Sequence, residues 1–324
     1  MKYDKKTITT LVMIGMFILT VSLTGCVFRL GDEIFEYEHK KIDVNSNTIL
    51  TVNNVNGIVK VKGTDNDTIS LTIVKQTNER WGEEEFDKVD VIISDQDNML
   101  SIYTEYLENN THVSVLMYLD VPMFVTVDTL STVNGAINAS NIKGDNPFFR
   151  TTNGAITLED LEIEGDAVHA ETVNGLVDIH NVEFTDHTGG LFAHTTSGLI
   201  VISDVQGFVG ATSTNGAITI QDCSGVYDVI TVNGAIDVEI ADIVEDIEIT
   251  TLTGTINAYL NTDMNAEITI DVNIPASGFH INDIVDYLDI SRLETNHLEA
   301  TLNEGGPLIE IEITTGFINL YKLD

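Results

Sequence analysis

The sequence predicts an all-β fold, a parallel β-helix or β-solenoid whose rungs hold about twenty residues and two main strands each. A short phrase centred on glycine recurs down the chain, as in Val133-Asn134-Gly135-Ala136-Ile137 and Val232-Asn233-Gly234-Ala235-Ile236. Its hubs are Gly57, Gly135, Gly154, Gly175, Gly198, Gly216, Gly234, Gly254 and Gly316. From Gly135 to Gly254 the gaps are 19, 21, 23, 18, 18 and 20 residues. Around each hub, β-branched residues alternate with polar ones, the period-two sign of a strand with one buried face.

Along the chain, the first element is an export signal. Lys2, Lys5 and Lys6 precede an apolar run from Leu11 to Leu23, a basic start with a short apolar core. The run ends in Leu23-Thr24-Gly25-Cys26, which resembles the lipobox of lipoproteins. That resemblance implies removal of residues 1–25 and lipidation of the Cys26 thiol, with the membrane as a partner through the anchor. Charged residues 26–46 then read as a tether, and 47–324 as the solenoid domain.

Within that domain, Val52 to Ile73 is expected to form an early strand pair. Residues 78–90, with Trp81 beside Glu83-Glu84-Glu85, read as an inserted loop or short helix at the start of an irregular region, 78–112. Regular rungs follow. With glycine as position zero, plus two holds Val59, Ile137, Ile156, Val177, Ile200, Ile218, Ile236, Ile256 and Ile318, all expected inward. Plus four is the next inward site. Before the glycine, minus seven and minus five are inward, as in Val168 and Ala170, Leu191 and Ala193, Tyr227 and Val229. Thr or Ser fills minus three from Thr132 to Thr251.

The glycine is expected to supply the positive φ of a sharp corner. Asn134, Asn153, Asn174, Asn215 and Asn233 beside it are placed to hydrogen-bond from rung to rung. A second polar column stands at plus six, with Asn141, Asp160, Asn181, Asp204 and Asp222. The residue after it turns inward again, so Cys223 replaces an aliphatic knob and reads as a buried, inert thiol. At minus four, Arg150, Glu171 and His194 should lie side by side on one exposed face. A second irregular region, 261–308, carries Ile281, Ile284, Val285 and Leu288 at helical spacing and reads as an end cap. Sequons stand at Asn66, Asn109 and Asn138.

The order of several phrases carries a family resemblance over roughly residues 47–324. The early strand pair leads to Tyr118-Leu119-Asp120-Val121-Pro122 directly before the first regular rung. Gly305-Gly306 precedes a closing rung, Ile309-Glu310-Ile311-Glu312-Ile313-Thr314-Thr315-Gly316-Phe317-Ile318. In these features the chain is similar to the adhesin family of secreted and surface-anchored prokaryotic proteins, a family named by analogy. The resemblance implies a parallel β-solenoid at the cell surface and carries over no catalytic residue.

The formal net charge is −36, and between Leu130 and Ala258 only Lys143 and Arg150 are basic. That balance excludes a protein that tracks nucleic-acid phosphates and disfavours sulfated glycans as ligands. A surface protein or a glycan remains the expected partner. Asp160, Asp204 and Asp222 share one corner and read as turn residues, with a calcium site at Asp204 and Asp222 the alternative. His169, His180 and His194 are scattered on outward positions rather than spaced as zinc ligands. No catalytic constellation is legible. The expectation is a lipid-anchored, non-enzymatic structural or adhesive module. The alternatives are a polysaccharide lyase or hydrolase on the same scaffold, or an extracytoplasmic sensor.

Overall fold

A computed structural model describes residues 32–274 and 277–323. The signal segment and Cys26 lie outside these residues. Among the described residues, twenty-two strands belong to one continuous hydrogen-bonded sheet. The rungs stack in parallel: Ile137–Arg150 pairs with Ile156–Ile163, which pairs with Val177–Phe184, and so on to Leu308–Lys322. Each Ile or Val at plus two faces its counterpart in the next rung, as in Ile137↔Ile156↔Val177↔Ile200↔Ile218↔Ile236↔Ile256↔Ile318. These residues are fully buried, as are nearly all those at plus four. The core is therefore a stack of aliphatic layers, each closed by the hydrogen bonds of its neighbours.

The corners differ from the expectation in an instructive way. From Gly135 to Gly254 the hub glycines do not have the left-handed φ proposed for them; only Gly57, at φ 124°, and Gly316, at φ 139°, do. Their requirement is space. A Cβ at Gly154 would lie 1.9 Å from the carbonyl oxygen of Gly135, and one at Gly216 1.6 Å from that of Gly198. Glycine stacks on glycine because backbone fills the place of a side chain. The left-handed corner is the polar column at plus six: Asn141, Asp160, Asn181, Asp204 and Asp222 have φ between 52° and 57°. Asn and Asp tolerate this region better than other non-glycine residues, which explains the column's composition. After it the chain resumes with buried Ile142, Leu161, Val182, Val205 and Cys223.

Three further segments differ from the sequence reading. Within the supposed tether, Glu33–Asp43 forms a strand paired antiparallel along its whole length with Thr68–Asn78. It is mostly exposed, so the burial alternation that reveals a strand is weak there. Second, 261–308 forms β-structure in place of a helical face: Ala266–Val272 pairs with His297–Leu302, which pairs with Leu288–Leu293. The period-two pattern of Ile268, Ile270 and Val272 against Leu298, Ala300 and Leu302, all buried, outweighs the few helically spaced residues. Third, Tyr227 points away from the core. A register shift between Val209 and Ala211 lets Val226 take the inward place. In 78–112, a 3₁₀ helix at Glu83–Lys88 buries Glu85, whose carboxylate accepts from Lys88 Nζ at 2.6 Å and from the His112 N–H at 2.8 Å. Trp81 is stacked on His112 at 3.7 Å, with Arg80 4.2 Å from its ring.

Candidate functional site

The polar columns are largely occupied in holding the rungs together. Asn134 donates to Asn56 at 2.7 Å, Asn153 to Asn134 at 2.8 Å, and Asn174 to Asn153 at 2.9 Å. Ser197 then interrupts the ladder, which resumes with Asn233 donating to Asn215 at 3.0 Å. The buried minus-three hydroxyls have a specific partner, the glycine carbonyl of the preceding rung. Thr151 donates to Gly135 at 2.9 Å, Thr172 to Gly154 at 3.0 Å and Thr231 to Gly216 at 3.0 Å. At Ser213 the same position holds a buried hydroxyl that has no hydrogen-bond partner among the described residues.

At the left-handed corner, Asp160 accepts from Asn181 Nδ2 at 2.6 Å and Asp204 from the Ser203 hydroxyl at 2.9 Å. The Asp222 N–H donates to Glu239 at 2.9 Å. Among the described residues no three His, Cys, Asp or Glu side chains converge into a metal cage. Cys223 is a free, buried thiol donating to the Gln221 carbonyl at 3.1 Å, and burial pushes its pKa up to about 12.

The outer face before the glycines carries two side-chain columns. Arg150, Glu171 and His194 stand opposite one another on adjacent parallel strands, with Arg150 Nε 3.9 Å from Glu171 Oε2. One column further from the hub, at minus six, lies an aromatic stack that the sequence reading missed. His169 packs between Phe148 and Phe192, at centroid distances of 6.1 and 5.3 Å, and Phe192 stacks on Tyr227 at 5.6 Å. Gly190 and Gly210 make room for these rings: a Cβ at Gly190 would be 2.9 Å from Phe192 and 3.1 Å from Tyr227. The signal was present in the succession Phe148, His169, Phe192, Gly210, had minus six been followed down the rungs.

Beside the stack an open groove of about 460 Å³ is lined by His169, Phe192, Tyr227, Glu171, Asp228 and Glu245, among others. Asp228 accepts from the Glu248 N–H at 2.8 Å, and Asp246, also in the lining, from that of Leu308 at 2.7 Å. Among the described residues, no lysine or arginine lines the groove. It presents ring edges, carboxylate acceptors and two imidazoles, a chemistry that accepts hydrogen bonds from hydroxyl or cationic groups and repels anions.

These features define a β-solenoid domain with a stacked-glycine corner and an open acidic groove. The chain belongs to the Toastrack DUF4097 family, matched over residues 39–321. No curated protein matches it significantly. Among solved structures it is similar to a candidate lipid-binding protein from Parabacteroides distasonis (15% identity, 89% of this chain and 97% of that one, TM-score 0.48). It is also similar to a candidate adhesin from Bacteroides fragilis (12% identity, 88% and 97% coverage, TM-score 0.42).

Proposed function

We propose that the protein is a lipid-anchored, non-enzymatic binding module of the cell surface whose outer groove takes a neutral or amino-bearing glycan. The groove carries this reading. It combines aromatic edges, carboxylates and imidazoles on one sheet face, beside polar columns that hold the rungs together. The anchor rests on the lipobox-like Leu23-Thr24-Gly25-Cys26.

The reading is tested on a glycan array with the chain from residue 26 onward carrying Cys26→Ser. Retention of neutral or amino-bearing glycans is expected, with a loss of about tenfold on Tyr227→Ala, as for truncation of a buried aromatic contact. Preferential capture of sulfated glycans, or retention indifferent to Tyr227→Ala, overturns it. In cells, Cys26→Ser should move the protein out of the membrane fraction or block its processing. Unchanged membrane retention, with an unmodified N-terminus in the natural chain, rejects the anchor.

A further inference from the structure

The few basic residues of this chain are not spread evenly. Eight of the twelve that follow Cys26 fall between Arg29 and Lys88. Four have internal work: Lys40 pairs with Glu38, Lys75 with Glu36, Lys88 with Glu85 and Glu108, and Arg80 lies over Trp81. Lys41, Lys60 and Lys62 have no ion pair among the described residues, despite the large excess of carboxylates.

The strand register places these three on one face. Tyr37, His39 and Lys41 stand opposite Val74, Thr72 and Ser70. Thr72 and Ser70 stand opposite Tyr118 and Asp120, which in turn stand beside Lys60 and Lys62. Directly opposed residues share a side of the sheet, and the hydrogen bond between His39 Nδ1 and the Thr72 hydroxyl at 2.9 Å agrees. The other side carries buried Val59, Val61, Leu71, Ile73 and Leu119, so the lysine side faces solvent. Three strand steps separate Lys41 from Lys62, about 14 Å at the usual spacing. The same face exposes Phe35, Tyr37 and Tyr118, at 45, 63 and 38% of their surface. In the columns that continue Lys60 and Lys62 down the solenoid stand Glu159, Asp178, Asp237 and Glu239, and no further lysine or arginine.

We infer that this N-terminal sheet face, with Lys41, Lys60, Lys62, Tyr37 and Tyr118, docks on an anionic phospholipid bilayer. Unpaired lysines interleaved with exposed tyrosines match a headgroup layer, where cations meet phosphates and phenol rings sit between water and hydrocarbon. The occupant follows from chain length as well as charge. Six residues lie between Cys26 and Glu33, seven steps or at most about 25 Å of extended chain, so a lipidated Cys26 holds this face within reach of the membrane. The acidic remainder is repelled by the same surface, which stands the solenoid up from its basic end. The inference rests on the anchor reading for delivery only.

The test uses the chain from residue 26 onward with Cys26→Ser, which keeps every described residue and lacks the lipid. It is co-sedimented with vesicles of phosphatidylcholine alone or mixed with phosphatidylglycerol. Binding to the mixed vesicles only, weakening with salt, is expected. Lys41→Gln/Lys60→Gln/Lys62→Gln should lower it about a hundredfold, with an unchanged thermal midpoint as the folding control. The corresponding triple Lys→Arg chain should keep binding, as should Lys143→Gln, which lies outside the face. Equal binding to both vesicles, none to either, or binding untouched by the triple Gln change overturns the proposal. So does self-association through this face, which would make it an interface between copies. Because the tested chain carries no lipid, its failure leaves the anchor standing, and failure of the anchor leaves this result readable.

Discussion

A threonine hydroxyl against a glycine carbonyl recurs at the corner from Thr132 to Thr251, and it sets the rules for substitution there. Thr231→Ala removes the donor to Gly216 and leaves a buried acceptor unpaired, at a cost of about 1–3 kcal/mol. Ser213→Ala, at the equivalent position, deletes a hydroxyl that has no partner and should be neutral or stabilising. Chemical denaturation of the two variants checks the contrast; equal losses would reject the role given to the hydroxyl bond. Gly154→Ala pushes a methyl group into the Gly135 carbonyl and should cost about 3 kcal/mol or more, because backbone must move. At Cys223 the raised pKa and burial predict a native thiol inert to alkylation until unfolding. Labelling of the folded protein at the rate of an exposed thiol would contradict the inward register.

At the level of elements, the end hairpin is pinned by a charge cluster. His297 on one strand is hydrogen-bonded to Asp271 at 2.7 Å and to Glu299 at 2.9 Å, with Arg292 bridging Glu299 and Glu294 from the third strand. Glu299 and Asp271 raise the His297 pKa above its ordinary 6.5, and His297 lowers that of Glu299 below 4.5. The histidine's contribution is complete below about pH 6.5 and fades as pH rises through its folded value. The glutamate's is complete above about pH 4.5 and fades as pH falls through its lowered value. The hairpin should therefore be tightest between these limits. Amide exchange in His297–Leu302, corrected for intrinsic rates, should be better protected near pH 6 than above pH 8, and His297→Gln should erase the difference. A variant that keeps the difference would move its origin elsewhere. This hairpin also marks where the sequence stopped being readable. The rungs were legible because each repeats the same inward positions, so Ile137 confirms Ile156, and Ile156 confirms Val177. Glu33–Asp43 and 261–308 have no second copy to compare with, and the first buries almost nothing. The minus-six stack was hidden for another reason: a bulge shifts Tyr227 by one place, and glycine stands in for a ring at Gly210.

For the whole molecule, a net charge of −36 on one elongated body means that folding works against its own repulsion. Raising ionic strength from a few millimolar to about 0.15 M shortens the screening length to about 8 Å and should raise the melting midpoint. A midpoint that stays put or falls would show that the repulsion is compensated locally. One rung has a further bearing on the whole. Ser197 breaks the amide ladder, Ser213 on the next strand lacks its bond, and the 23-residue gap from Gly175 to Gly198 contains a turn with His187 at φ 59°. Three departures fall on one joint, between a run of amides from Asn56 to Asn174 and another from Asn215 to Asn233. A stack pulled along its axis carries the same tension through every joint. Two polar bonds that the preceding rungs possess are absent here, so under load this joint would open before those of the run from Asn56 to Asn174.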